Sequence, residues 1–349
     1  MARFKKATLT DVAQRAGVSV TTASYILNGR STQMRISAET ARRVEAAMHD
    51  LDYRPNWSAR TLRRRSSTQT IGLISDFVAS GAFSSRLLTG ASSAARSWDH
   101  LLVIGESMGD PDAESLLVRD LLDRQVDGIV YATLTASTVR LPASLRGVRA
   151  VLLNCQDPDV DVPAVLPDDE AGGRLAVECL VASGVRAPFH VVGEDPTPES
   201  TAGTDRLRGI EAALAEAGAG LAGVVQCAWD VAPAYAAVAG WLRAGARPGA
   251  LICLNDRIAM GVYQALAELD IAVPEDVSVI SFDGSDLSGW LRPRLTSLAL
   301  PFHEMGARAV ELLMERGRQA PRVTRLPLAL QVGDSVRGLV PASRERQDR

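Results

Sequence analysis

Three short stretches carry side chains whose types and spacing could do chemistry. Residues 20–27, VTTASYIL, crowd small hydroxyl and methyl groups onto one short segment. Residues 59–65, ARTLRRR, set a single leucine, Leu62, among Arg60, Arg63, Arg64 and Arg65. Residues 105–109, GESMG, have the G-x-S-x-G form of a nucleophile elbow and follow the apolar run LLVIG. The first stretch suits close approach to base edges and thymine methyls, the second suits phosphates, and the third suits acyl transfer.

The serine stretch fails on its flank. Asp283 and His303 do follow Ser107 in the hydrolase order Ser, Asp, His. An elbow needs a helix that continues directly from the serine, whereas Gly109-Asp110-Pro111 offers a cap and a first helical residue that start the helix later. Ser107 is therefore read as non-catalytic and no enzyme is expected. The sequence has no G-x-x-x-x-G-K-[ST] loop and no G-x-G-x-x-G behind its first strand, so no nucleotide cofactor is expected. Cys155, Cys179, Cys227 and Cys253 are widely spaced in apolar runs and do not cluster with the four histidines. They are expected to be buried thiols in a reducing compartment, with no metal site.

The hydroxyl-rich stretch belongs to a larger pattern, LTDVAQRAGVSVTTASYILNG. Thr10 is expected to cap a first helix whose inner face carries Val12, Ala13 and Ala16. Gly17 supplies a tight turn, Ser19 caps a second helix, and Asn28-Gly29 ends it. The pattern fits an ordinary helical hairpin or a helix-turn-helix, whose second helix can lie in the DNA major groove and would present Val20, Thr21, Thr22 and Tyr25; the charge of the head and the basic stretch favour the second. A third helix starts behind Ser37 and repeats apolar residues at Val44, Ala47, Met48 and Leu51. Residues 1–65 carry 13 Lys or Arg against 5 Asp or Glu, a net of +8, which leaves the other 284 residues at -11. A basic head on an acidic body implies a polyanion partner for the head alone, and with the helix-turn-helix pattern the partner expected is double-stranded DNA. In the basic stretch, Pro55 suits a first helical turn, and two readings stand open: Leu62 as a wedge in a minor-groove step with the arginines neutralising phosphates, or a solvated basic linker whose leucine rests on the neighbouring domain.

From Ile71 onward, apolar runs such as IGLIS, LLVIG, DGIVYA, AVLLN, FHVVG, VVQCAW, ALICLN and VSVISF alternate with helical segments. That alternation predicts parallel sheets with helices on both faces. About ten strands would make one sheet too wide, so two sheets with a cleft between them are expected. The N-terminus MARFKK is charged, and no run approaches the roughly 18 apolar residues of a membrane span. A cytoplasmic protein without a membrane partner is expected, rather than an exported solute-binding protein.

TLTDVAQRAGVSVTTASYILNG, RISAETARRVEAAMHDLDYRPN and ARTL together resemble the headpiece of the LacI/GalR family of bacterial transcription regulators. IGLISDF, VDGIV, RLRGIEAALAEAG, NDRIAMGVYQAL, VPEDVSVISFDGSD and RLTSLALPFHEMG resemble the body of that family, in the same order. The resemblance implies a helix-turn-helix headpiece over 1–54, a hinge helix and linker over 55–70, and an effector and dimerisation domain over 71–340. That domain would hold two doubly wound parallel-sheet subdomains like those of periplasmic sugar-binding proteins. Residues 341–349, PASRERQDR, lack leucine heptads and are expected to be a disordered tail, which favours a dimer. The implied DNA contacts are Thr10, Ser19, Val20, Thr21, Thr22, Tyr25 and Asn28, with Asn56, Ala59, Leu62 and Arg63 in the hinge. The family usually has arginine where Tyr25 stands, so bidentate reading of guanine is not expected there. The implied effector residues are Asp76, Phe83, Asn154, Arg206, Trp229, Asn255, Asp283 and Phe302, a mixture that suits a sugar. The function expected is a dimeric repressor on a palindromic operator, controlled by that effector.

Overall fold

The computed structural model describes residues 7–27, 29–53, 67–78, 85–193, 200–315 and 321–339. The expectations for Asn28, Asn56, Ala59, Leu62, Arg63, Phe83, the hinge helix and the tail fall outside those residues. The chain forms two compact units, Met1–Thr68 and Gln69–Arg349.

In the first unit α1 spans Leu9–Ala16, α2 Val20–Leu27 and α3 Ala38–Asp50. The cap of α1 is Thr8, not Thr10: Asp11 N–H donates to the Thr8 hydroxyl at 3.3 Å, and the Asp11 carboxylate accepts from Thr8 N–H at 2.7 Å. The helix therefore begins one residue before Thr10, which is left exposed on its first turn. Gly17 closes α1 at φ +66°, where a side chain would be strained. Ser19 and Ser37 cap the next two helices by accepting from Thr22 N–H at 3.0 Å and Thr40 N–H at 3.2 Å. Val12, Ala13, Ala16, Ala23, Ile26, Val44 and Ala47 make the core. Small residues at the contacts let three short helices pack closely without a large apolar content.

The second unit contains two six-stranded sheets among the described residues. The first sheet holds β1 (Thr70–Ser75), β2 (Leu101–Glu106), β3 (Gly128–Thr138), β4 (Ala150–Gln156), β5 (Ala164–Pro167) and β11 (Val323–Leu326), in the order β11-β5-β4-β3-β1-β2. The second holds β6 (Phe189–Val192), β7 (Leu221–Val225), β8 (Ala250–Cys253), β9 (Ser278–Asp283), β10 (Thr296–Ala299) and β12 (Ala329–Gln331), in the order β12-β10-β9-β8-β6-β7. Every pairing is parallel except β10 with β12. The run VVQCAW contributes less than expected, since β7 ends at Val225. Four short strands, β5, β10, β11 and β12, were not foreseen. Alternation along β1 sends Ile71 and Leu73 to one face and Ile74 to the other, so the first sheet has a core on each side.

The helices are α4 (Ser85–Ser97), α5 (Pro111–Asp123), α6 (Asp169–Ala182), α7 (Ala202–Glu216), α8 (Val231–Arg243), α9 (Asp256–Glu268), α10 (Asp286–Trp290) and α11 (Phe302–Met314). The chain crosses between sheets three times: from β5 into α6, which packs on α7; from β10 into α11, which packs on α4; and from β11 to β12. Both helix pairs are glycine crossings. A Cβ on Gly90 would lie 2.0 Å from the His303 carbonyl oxygen, and one on Gly209 would lie 2.0 Å from that of Glu170. Of the four thiols, Cys155, Cys179 and Cys253 are buried, while Cys227 is only partly so because it lies past the end of β7.

Candidate functional site

Two surfaces carry the residues singled out by the sequence. On the headpiece, α2 turns Ala23 and Ile26 into the core and leaves Val20 44% exposed, with Thr21 exposed and Thr22 and Tyr25 half-buried. The Thr22 hydroxyl lies 2.8 Å from that of Ser19, so both are partly committed to the helix start. Apart from Tyr25, the side chains left outward on this face are short, which allows close approach to base edges.

In the body, a cavity of about 220 Å³ lies between the two sheets. It is lined from the first sheet by Leu134, Thr135, Ala136, Asn154 and Pro167, and from the second sheet's side by Asp169, Ala202, Arg206, Trp229, Asn255, Arg257 and Asp283. Leu300 and Phe302, at one of the crossings, close it. Asn154, Trp229, Asn255 and Asp283 sit at or just past the carboxyl ends of their strands, where open α/β sheets present ligand-binding groups. Six of the expected effector residues thus meet in one place. Asp76 stands a step back, its carboxylate accepting from Leu134 N–H at 2.9 Å, and Phe83 lies outside the described residues.

Arg206 is the centre of this wall. It is 2% exposed, its Nε donates to the Asp169 carboxylate at 2.7 Å, and its Nη1 donates to the Leu254 carbonyl. The guanidinium lies 4.6 Å from the centre of the Phe282 ring and 5.6 Å from that of Trp229. A planar cation held on four sides has little rotational freedom left, so its remaining donors face the cavity in fixed directions. Burial pushes the Asp169 carboxyl up, and the adjacent Arg206 charge opposes that shift.

Asn255 is the cap of α9: its Oδ1 accepts from Ile258 N–H at 2.7 Å, while its Nδ2 reaches the Trp229 carbonyl at 3.5 Å. Asn154, at φ +59°, donates from Nδ2 to the Thr133 and Leu134 carbonyls at 3.1 and 2.9 Å. Both amides therefore hold the rim together as well as facing the cavity. Asp256 is fully buried and is held by the Ser281, Ser285 and Ser297 hydroxyls and by Ser285 N–H. Its proximity matters for Asp283. Burial, followed by repulsion from Asp256, pushes the Asp283 carboxyl up to about 8, against the pull of Arg206.

The raised carboxyl of Asp283 favours the protonated, hydrogen-bond-donating form well beyond the usual carboxylate range, which eases the placement of a second carboxyl beside Asp256. A carboxyl raised in the folded state contributes stability that is complete below its unfolded value of 3.8 and declines as the pH climbs toward 8. Asp283→Asn keeps the shape and removes the titration. Urea midpoints at pH 5.5 and 8.5 should show the variant gaining on the parent at the higher pH, and a constant difference would mean that Asp283 stays ionised throughout.

The residues missed by the sequence reading are Asp169, Asp256 and Arg257. Asp169 follows Asp168, whose carboxylate accepts from Ala171 N–H at 3.3 Å, so the pair looks like ordinary acid at a helix start.

The comparisons with known proteins agree with this two-part layout. A model of bacterial regulatory proteins of the lacI family matches residues 8–56, and one of periplasmic binding protein-like domains matches 177–336. The sucrose operon repressor of Escherichia coli is 33% identical over 93% of this chain and 98% of that protein. The chain belongs to the LacI family. The ribose operon repressor of Haemophilus influenzae is 28% identical, covering 89% of this chain and 92% of that protein. Among solved structures, the lac repressor dimer bound to operator and the anti-inducer ONPF superposes with a TM-score of 0.83, at 26% identity over 95% of this chain and 100% of that one. A transcriptional regulator CelR–cellobiose complex superposes at 0.66, with 25% identity over 94% and 99%.

This LacI-family member is a DNA-binding transcriptional regulator, and its relatives are repressors rather than enzymes. The geometry around Ser107 accords with that. The serine is buried, its hydroxyl donates to the Ser75 carbonyl at 3.2 Å, and α5 starts only at Pro111 under the Asp110 cap. No described helix of this regulator is long and apolar enough to cross a membrane.

Proposed function

We propose that this regulator is a cytoplasmic repressor that binds a palindromic operator as a homodimer and is controlled by a sugar in the cleft between its two sheets. The carrying observation is the cavity wall itself. Arg206 and Asp283 offer directed hydrogen bonds from one side, Asn154 and the β3 backbone end face them from the other, and Trp229 and Phe302 supply flat apolar faces. A ring with hydroxyls on its edge and C–H groups on its faces matches that alternation. Relatives named for sucrose and ribose operons, and a cellobiose-bound neighbour, support the sugar class, while the lac repressor dimer on its operator supports paired headpieces.

The mechanism follows from the three crossings. A ligand touching both sheets favours one setting of the lobes over another, and it acts on DNA binding only through its different affinities for those settings. On DNA, Thr10, Ser19, Val20, Thr21, Thr22 and Tyr25 would serve the groove face, with Asn28, Asn56, Ala59, Leu62 and Arg63 completing the contacts. Two-fold pairing is favoured because one small headpiece buries little surface.

The test is selection from random duplex DNA by the purified protein at near-physiological salt, repeated with a set of sugars. A palindromic consensus whose retention changes with one sugar is expected. Retention without sequence preference would reject operator reading, and indifference to every sugar would reject the effector class.

A further inference from the structure

Helix α2, VTTASYIL, contains no Lys, Arg, His, Asp, Glu, Asn or Gln, although residues 1–65 around it carry 13 Lys or Arg against 5 Asp or Glu. Bases are told apart in the major groove chiefly by long polar side chains: arginine or lysine on guanine, asparagine or glutamine on adenine, and a carboxylate on cytosine. None of those groups stands on α2. The basic residues all lie elsewhere in the segment and suit phosphates, which fix position and carry no sequence information.

What α2 does present is methyl groups. Ala23 and Ile26 turn into the core, which leaves two ridges of residues four apart on the other side, Val20 with Ser24 and Thr21 with Tyr25. Val20 is 44% exposed and Thr21 is exposed, and both lie in the first turn, the part of a recognition helix that reaches base edges. The Thr22 hydroxyl is 2.8 Å from that of Ser19, which also accepts from Thr22 N–H, so it is taken up by the helix start. A Thr21 hydroxyl, donor and acceptor at once, satisfies either kind of base edge. The Tyr25 hydroxyl can donate a single bond, and N7 accepts on adenine and guanine alike, so that bond does not choose between purines. The C5 methyl of thymine is the base feature such a surface can select. Burying it takes no hydrogen bond, and cytosine in its place leaves the methyls of Val20 and Thr21 without a partner.

We infer that α2 reads its part of the operator through thymine C5 methyl groups packed on Val20 and Thr21, so that the base pairs facing it are T·A pairs recognised without a bidentate hydrogen bond. The inference rests on the operator reading above and adds the chemistry of the bases read.

The test uses the full-length protein and the duplex recovered by selection. The base pairs facing α2 are those whose preference changes when selection is repeated with Val20→Ala and with Thr21→Ser. At those pairs, deoxyuridine in place of thymidine should weaken binding about fourfold for each methyl removed. Cytosine in place of thymine should weaken it at least as much, and 5-methylcytosine should recover about fourfold. Thr21→Val keeps the methyl and should preserve the uracil penalty, whereas Thr21→Ser should remove it at one position in each half-site. Equal affinity for the thymine and uracil duplexes would overturn the methyl reading while leaving the operator reading standing. So would a guanine held fixed at the pairs facing α2, or variants whose consensus matches the parent's. Selection that returns no consensus at all would overturn both.

Discussion

Arg206→Ala should cost about 3–5 kcal/mol of folding stability and abolish the response to effector, because it strands a buried carboxylate. Asp169 and Arg206 are each 2% exposed and meet at 2.7 Å. Removing the guanidinium leaves Asp169 without its counter-ion and the Leu254 carbonyl without its side-chain donor. A loss of that size in the single variant confuses a misfolded cleft with a missing ligand contact. The double variant Asp169→Leu/Arg206→Met separates them, since replacing a buried pair by apolar groups of similar volume is often neutral or better. It should unfold near the parent's urea midpoint and bind operator, yet ignore every effector. A single variant that unfolds at the parent's midpoint would deny the pair its structural role. A double variant that still responds at the same sugar concentration would place the effector elsewhere.

The parts legible in the sequence are those fixed by neighbours within a few residues. The turn at Gly17 and the caps at Ser19 and Ser37 depend on bonds that reach three positions along the chain. Even the error at α1 was local. Thr8 has Asp11 three residues on and forms the reciprocal box, whereas Thr10 has Ala13 there and has nothing to return the bond. Strands such as ALIC and SVISF announced themselves by continuous burial. The four missed strands have three or four residues each; three of them contain Pro, Arg or Gln, and β10 opens on Thr296 and Ser297. What makes them strands is a partner far along the chain, as with Val323 beside Ala164.

The site was legible through resemblance at its rim and illegible at its support. Asp169 and Asp256 each open a helix, where an acid is ordinary. What sets them apart is burial, which arises only when α7 and the strands bearing Ser281 and Ser297 close over them. The raised carboxyl of Asp283 is likewise a property of three chain segments, since Asp256 and Arg206 push it in opposite directions.

Gly209→Ala should destabilise the body by about 3 kcal/mol or more, the reverse of the roughly 1 kcal/mol that alanine normally adds over glycine inside a helix. The reason is the crossing of α6 on α7. A Cβ on Gly209 would sit 2.0 Å from the Glu170 carbonyl oxygen, and the reciprocal Gly173 faces the Arg206 carbonyl oxygen at 2.1 Å. Both obstacles are backbone, which cannot rotate aside as a side chain does, so the helices must separate. Separation acts directly on function, because the same two helices carry Asp169 and Arg206. Gly240→Ala is the matched control: Gly240 lies in α8, and its added Cβ meets nothing within 4 Å. Urea unfolding should rank Gly240→Ala at or above the parent and Gly209→Ala far below it. Effector affinity, measured where both variants are folded, should fall only in Gly209→Ala. Equal midpoints for the two variants would show that the crossing yields, and that the placement of Arg206 does not depend on how closely α6 and α7 approach.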